Sequence, residues 1–185
     1  VSPIGQRADA RRNRARIVEA AKRVFASDGD VGPEAVAREA GVGVGTLYRH
    51  FPDRNDLAAA VYEDELLLVA ARAAELLESH PPAEALRLWM DRFVERIENK
   101  RAMAPALRSL VESGAASSAT TRATLAAAAQ QILDAGTASG AFRPGLRGAD
   151  FVTTLVGVCV VTATPEGSRQ LPGLLDFLAD GVAAR

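Results

Sequence analysis

This sequence predicts an all-α fold in two parts, a helix-turn-helix head followed by a helical body. Three observations predict it. Apolar residues recur at i, i+3, i+4 and i+7 along most of the 185 residues, and no run alternates between turn signals as a strand would. The chain is 48% hydrophobic yet only 5% aromatic, with alanine used heavily, a composition that suits closely packed helices. Finally, residues Val36 to Phe51 read as two short helices around a tight turn.

In that stretch Val36, Ala37 and Ala40 make a small apolar face, and Gly41 stands where a helix end needs a residue tolerant of positive φ. Val42 plugs the angle between the helices. The second helix turns Leu47 and Phe51 inward and leaves Thr46, Tyr48, Arg49 and His50 outward. This pattern describes a helix-turn-helix whose second helix enters the major groove of DNA.

The remaining elements follow in order. Val1 to Ala10 mixes Pro, Gly and polar residues and is expected as a mobile arm. Arg11 to Ser27 forms a helix with Ile17, Ala21, Val24 and Phe25 on one stripe, ended by Asp28-Gly29-Asp30. After Phe51, Asp53 caps a long helix from Arg54 to about Ser79, with Asp56 three residues on. Leu57, Val61 and Tyr62 are expected to pack on the head, and Leu66, Leu67, Val69, Ala70, Ala73 and Leu77 in the body, so that this helix links the two parts. His80-Pro81-Pro82 breaks it. Further helices are expected over Ala83–Asn99, Met103–Glu112, Thr121–Ser139, Ala149–Ala163 and Leu171–Val182, with a flexible connector at Ser113–Ser118 and a loop at Gly140–Gly148. The domains are therefore the arm at 1–10, a helix-turn-helix DNA-binding domain at 11–56 and a helical body at 57–185.

The net charge of −1 says little, but its distribution says more. Arg7, Arg11, Arg12, Arg14, Arg16, Lys22 and Arg23 face only Asp9 and Glu19 in the first helix and its approach, while the chain from Leu57 onward is mildly acidic. A basic front on a neutral-to-acidic body suits nucleic-acid binding. Cys159 is the only cysteine, which excludes an internal disulfide and fits a reducing cytoplasm. No secretory leader is read in Val1–Gln6, and the apolar stretch Phe151–Ala163 is too short for a bilayer, so no membrane partner is expected.

The motif AGVGVGTLYRHFPDRNDL resembles the DNA-binding signature of the tetracycline-repressor (TetR) family of regulators. The likeness runs in detail from Arg14 to Tyr62; beyond it only the helical layout is similar. It implies phosphate contacts by Tyr48 and His50, with Thr46 nearby, and by Arg54, which stands where the family usually has Lys. It also implies an effector pocket in the body. The chain departs from the pattern between Gly29 and Val36, a segment about one residue shorter, in which Gly32-Pro33 replaces the usual Ser/Thr cap. A helix is still expected from Pro33, because Pro is tolerated in a first turn and Glu34 suits the positive helix end.

For DNA reading, Arg49 has the geometry to meet a guanine edge in bidentate fashion, Val44 to touch a thymine methyl, and Gly45 to let the backbone come close. The Arg11–Arg16 cluster, with Arg11, Arg12 and Arg14 foremost, would reach phosphates or an adjacent minor groove. Catalytic constellations are missing: His50 and His80 lie far apart, Cys159 sits in an apolar helix, and no Cys/His spacing suits zinc. No enzyme, cofactor or metal is expected. Glu63, Asp64 and Glu65 are read as a solvated face.

Trp89, Met90, Phe93, Met103, Leu107 and Leu110, with Thr153, Thr154, Arg108 and Asn99 as polar contributors, are the candidate lining of that effector pocket, although each taken singly reads first as plain core. The helix at 149–163 is apolar all round and must be covered on both sides. Together with the helix at 171–182 it is expected to form a four-helix homodimer interface through Leu155, Cys159, Leu174, Leu175, Leu178 and Val182. The partners are then double-stranded DNA carrying an inverted repeat, a small and mostly apolar effector, and a second copy of the chain. The competing reading is a helical ligand-binding or scaffold protein that no longer binds an operator.

Overall fold

The computed structural model describes residues 3–26, 32–98, 118–164 and 166–184. Among them are α1 (Pro3–Ala26), α2 (Pro33–Ala40), α3 (Val44–His50), α4 (Arg54–Ser79), α5 (Pro82–Glu98), α6 (Ala119–Ala138), α7 (Gly148–Val161) and α8 (Leu171–Val182), with one 3-10 turn at Gly167–Arg169. The only β contact among the described residues is an isolated antiparallel bridge between Phe142 and Ala183. The expected helix at Met103–Glu112 lies outside the described residues. The described chain divides after Tyr62 into two compact units, the second running from Glu63 and resuming with Ser118.

The first unit is built by α1, α2, α3 and the start of α4. Its core is Ile17, Val18, Ala20, Ala21, Phe25, Val36, Ala37, Ala40, Leu47, Phe51, Leu57, Ala58, Ala60 and Val61. α1 begins at Pro3, not at Arg11, so most of the expected arm is helix. Pro costs nothing in a first turn, where its missing N–H would have no partner, and Gln6 to Arg12 contains no breaker to stop the helix. α2 has Gly32 at its cap without a side-chain hydrogen bond, and Pro33 opens it. Its other end is firmer. Gly41 takes φ 62°, its N–H donates to Arg38 at 3.1 Å, and the Val42 N–H donates to Ala37 at 3.0 Å. These paired bonds form a Schellman closure, which satisfies carbonyls the helix end would leave bare. α4 opens with a reciprocal cap: Asp53 Oδ1 accepts from the Asn55 N–H at 3.0 Å, and Asp56 Oδ2 accepts from the Asp53 N–H at 3.3 Å.

In the second unit α5 packs against α6, α7 and α8, and α6 and α7 form the tightest pair. Leu66, Val69, Ala70 and Ala73 of α4 are buried there; Leu67, expected beside them, is 41% exposed because it falls off their shared face. Glu65 is also a correction. It is buried, and its carboxylate accepts from Arg96 at 2.8 Å, so it is not part of a solvated face. Glu63 accepts from the Ser118 N–H, and Ser118 in turn caps α6 through the Thr121 N–H at 3.1 Å. Gly148 lets α7 approach α6 backbone to backbone: a Cβ there would lie 2.2 Å from the Ala126 carbonyl oxygen. Gln130 clasps the same junction, accepting from the Gly148 N–H at 2.7 Å. The end of the chain is tied down as well, with the Arg143 N–H donating to Val182 at 3.0 Å and the Ala184 N–H to Ala141 at 2.9 Å. Arg87 of α5 bonds Asp176 of α8, which raises the Arg87 pKa above its ordinary value, mainly through that hydrogen bond.

Candidate nucleic-acid interface

α3 is set by its buried side. Leu47 is 2% exposed and Phe51, just past the helix, is equally buried, which fixes the rotation of the helix and turns the next positions outward. Tyr48 is 47% exposed, Arg49 is exposed, Thr46 and His50 are half-exposed, and Arg54 is exposed at the first position of α4. The expected outward set is thus on the surface. The Arg49 guanidinium folds back one turn, its Nε–H donating to the Gly45 carbonyl and Nη2 to Thr46 Oγ1, both at 3.2 Å. A Cβ on Gly45 or on Gly43 would meet nothing within 4 Å, so neither glycine is demanded by packing inside the chain.

The Val44 side chain is half-buried and packs partly against the head core. The arginines of α1 divide. Arg11 is exposed, Arg12 is exposed and paired with Asp9, and Arg14 is exposed but holds its guanidinium over the Phe51 ring, 4.9 Å from the centroid. Arg16, grouped with that cluster in the sequence, is a clamp: its Nη2 donates to the Ala40 carbonyl at 2.7 Å, at the end of α2. Arg23 bonds Glu39 at 2.7 Å and joins α1 to α2 a second time.

The body candidates separate in the same way. Trp89, Met90 and Phe93 are fully buried, with the two rings 6.1 Å apart and tilted by 36°. The Trp89 Nε1–H donates to the Val69 carbonyl at 3.0 Å, so the one polar atom of that cluster is satisfied by α4. Met103, Leu107 and Leu110, with Asn99 and Arg108, lie outside the described residues. Thr154 is exposed, and its hydroxyl donates to the Asp150 carbonyl of its own helix at 2.8 Å, which sets it apart from the buried cluster. Of the expected interface residues, Leu155, Cys159, Leu175 and Val182 are buried within the single chain, and Leu174 and Leu178 are half-buried. The exposed apolar side chains of α7 and α8 are Val160 (40%), Val161 (71%) and Phe177 (81%). The sequence signal for Phe177 was a lone aromatic on the face opposite the Leu171/Leu175/Val182 stripe. Among the described residues no cluster of three His, Cys, Asp or Glu side chains could hold a metal, and no helix is long and apolar enough to cross a membrane.

Two short helices joined at a left-handed glycine, with an aromatic and basic outer face on the second, define a helix-turn-helix DNA-binding regulator. Comparison with known proteins narrows this class. The profile of bacterial regulatory proteins of the tetR family matches residues 17–61, and that of the SbtR-like transcriptional regulator C-terminal domain matches residues 81–184. The solved structure of a TetR transcriptional regulator from Streptomyces coelicolor is 38% identical, with 92% of this chain and 98% of that one covered at a TM-score of 0.66. An HTH-type transcriptional regulator of Staphylococcus aureus (strain USA300) is 33% identical over 112 residues; the match spans 58% of this chain and 58% of that protein's length. The RolR structure in complex with resorcinol shares the fold at 21% identity, with 96% and 91% of the two chains covered and a TM-score of 0.61. The chain belongs to the TetR family of DNA-binding transcriptional regulators.

Proposed function

We propose that this regulator is a repressor that binds an inverted-repeat operator as a homodimer and releases it when a small, mostly apolar effector enters the body. The observation that carries the DNA half is the outer face of α3, where Tyr48, Arg49 and His50 stand together with Arg54 close behind in sequence. Tyr48, His50 and Arg54 hold phosphates and set the register, and Arg49 reads a base edge; Arg11 and Arg12 add sequence-independent attraction. The dimer forms through α7 and α8, whose large apolar side chains Val160, Val161 and Phe177 are left exposed on the single chain. A two-fold dimer then requires half-sites about one helical turn apart or a little more.

The effector half is supported by Trp89, Met90 and Phe93 on one face of α5, flat and flexible side chains that adapt to varied apolar ligands. The Trp89 N–H is already engaged by the Val69 carbonyl, so a ligand here would meet apolar surface. The RolR complex with resorcinol supplies a precedent in the fold for a small aromatic ligand. A gel-shift titration with the DNA upstream of the protein's own coding sequence tests the reading. Salt-dependent, sequence-specific binding that an apolar ligand reverses while changing Trp89 fluorescence is the expected result. A ligand that weakens DNA tenfold must bind the DNA-bound protein tenfold more weakly, a coupling of about 1.4 kcal/mol. Absence of sequence-specific binding at low salt would overturn the repressor reading.

A further inference from the structure

We propose that Thr46 is a positioning residue for Arg49, and that the pair selects a guanine at one base position of each half-site. The inference rests on α3 being the helix that enters the major groove. In a helix, long side chains lean back over the preceding turn. Arg49 does so, and lays one edge of its guanidinium on its own helix: Nε–H donates to the Gly45 carbonyl and Nη2 to Thr46 Oγ1, each at 3.2 Å. An exposed arginine held at a single atom swivels among many rotamers, whereas two bonds from one planar fork set both its direction and its plane. The Nε/Nη2 edge is the side of the fork. The end-on edge, formed by Nη1 and the second hydrogen of Nη2, is left for an external acceptor. Its two parallel donors match O6 and N7 of guanine, the commonest specific arginine contact in the major groove.

The hydroxyl at position 46 is the side-chain half of this brace. Valine has nearly the same shape as threonine and cannot accept a hydrogen bond, while serine can. A Thr46 that merely touched a phosphate would weaken binding to every sequence alike and would leave base preference unchanged. These two roles give different results.

The test uses the full-length protein and a randomised duplex library. The enriched duplex and its single-base-pair variants are titrated by fluorescence anisotropy at one fixed salt concentration. Wild type is expected to favour one G·C pair per half-site by roughly tenfold or more over the alternatives. Arg49→Ala and Thr46→Val should lose that preference, Thr46→Ser should keep it, and preferences at other positions should stay. Replacing that guanine with 7-deazaguanine, which keeps O6 but lacks the N7 acceptor, should narrow the difference between wild type and Arg49→Ala. Thr46→Val in the Arg49→Ala background should change the preference no further. If Thr46→Val keeps the full guanine preference, or loses affinity uniformly, Thr46 does not position Arg49 and the Arg49 reading survives alone. If Arg49→Ala keeps every preference, the pair reads nothing. If no duplex is enriched by wild type at low salt, the groove-binding reading itself fails. Thermal melts of each variant confirm folding, which side chains this exposed should not disturb.

Discussion

Glycines 41, 43 and 45 crowd the helix-turn-helix, and the structure gives them different reasons, which alanine substitution should expose as effects of opposite sign. Gly41 holds φ 62°, and a Cβ there would also sit 3.0 Å from Nη2 of Arg16, the group that bonds the Ala40 carbonyl. An L-residue in this left-handed region costs about 1–2 kcal/mol. Arg16 can shift at its flexible end, so its displacement adds little beyond a weakened clamp. For a chain of this size Gly41→Ala should therefore lower the melting temperature by about 2–8 °C. Gly45 lies inside α3, its φ is not positive, and a Cβ would meet nothing within 4 Å. Removing a helical glycine there should stabilise by about 0.5–1 kcal/mol, raising the melting temperature by roughly 1–4 °C. Both variants should lose DNA affinity, Gly41→Ala through the fold and Gly45→Ala with the fold intact, because the methyl occupies the space where the groove approaches. A tenfold loss for Gly45→Ala corresponds to about 1.4 kcal/mol. Scanning calorimetry, which resolves two units melting separately, and anisotropy on one duplex measure both quantities. A Gly45→Ala protein that melts higher and binds DNA like wild type refutes the close-approach argument; a Gly41→Ala protein with unchanged melting refutes the backbone one.

Four other outcomes are expected. Phe177→Glu should convert a dimer into a monomer by light scattering with little change in the protomer's helicity, since the side chain is 81% exposed, whereas Leu175→Glu, at 4% exposure, should unfold it. Gly148→Val forces carbon into the Ala126 backbone oxygen, so its cost should reach or pass the upper end of the roughly 1–3 kcal/mol typical of overpacking, read as a lower urea midpoint. Arg54→Ala should weaken binding to all sequences and reduce the slope of log affinity against log salt by about 1. Arg96→Ala removes a partner from buried Glu65 and should destabilise by about 1–3 kcal/mol in denaturant titration, an effect that Arg96→Lys should partly reverse.

The sequence by itself determined the helical class, the head motif and its handedness of use. Leu47 and Phe51 one turn apart can be buried together in only one rotation of α3, and that rotation exposes Tyr48, Arg49 and His50; local periodicity carries this information. Gly41 and the Asp53/Asp56 cap were legible for the same reason, because capping is chemistry within a few residues. Only the tertiary structure decided which apolar face of α7 is core. A helix that is apolar on every side has no periodicity to show its inner face, so on α7 Leu155 and Cys159 could be told from Val160 and Val161 only by what the neighbouring helices cover. Glu65 was opaque in the same way, for its partner Arg96 is on another helix. Arg14 and Arg16 looked equivalent in the basic run. Their division between a ring at 4.9 Å and a carbonyl at 2.7 Å depends on where α2 ends and on where Phe51 rests, distances that exist only once the helices have packed.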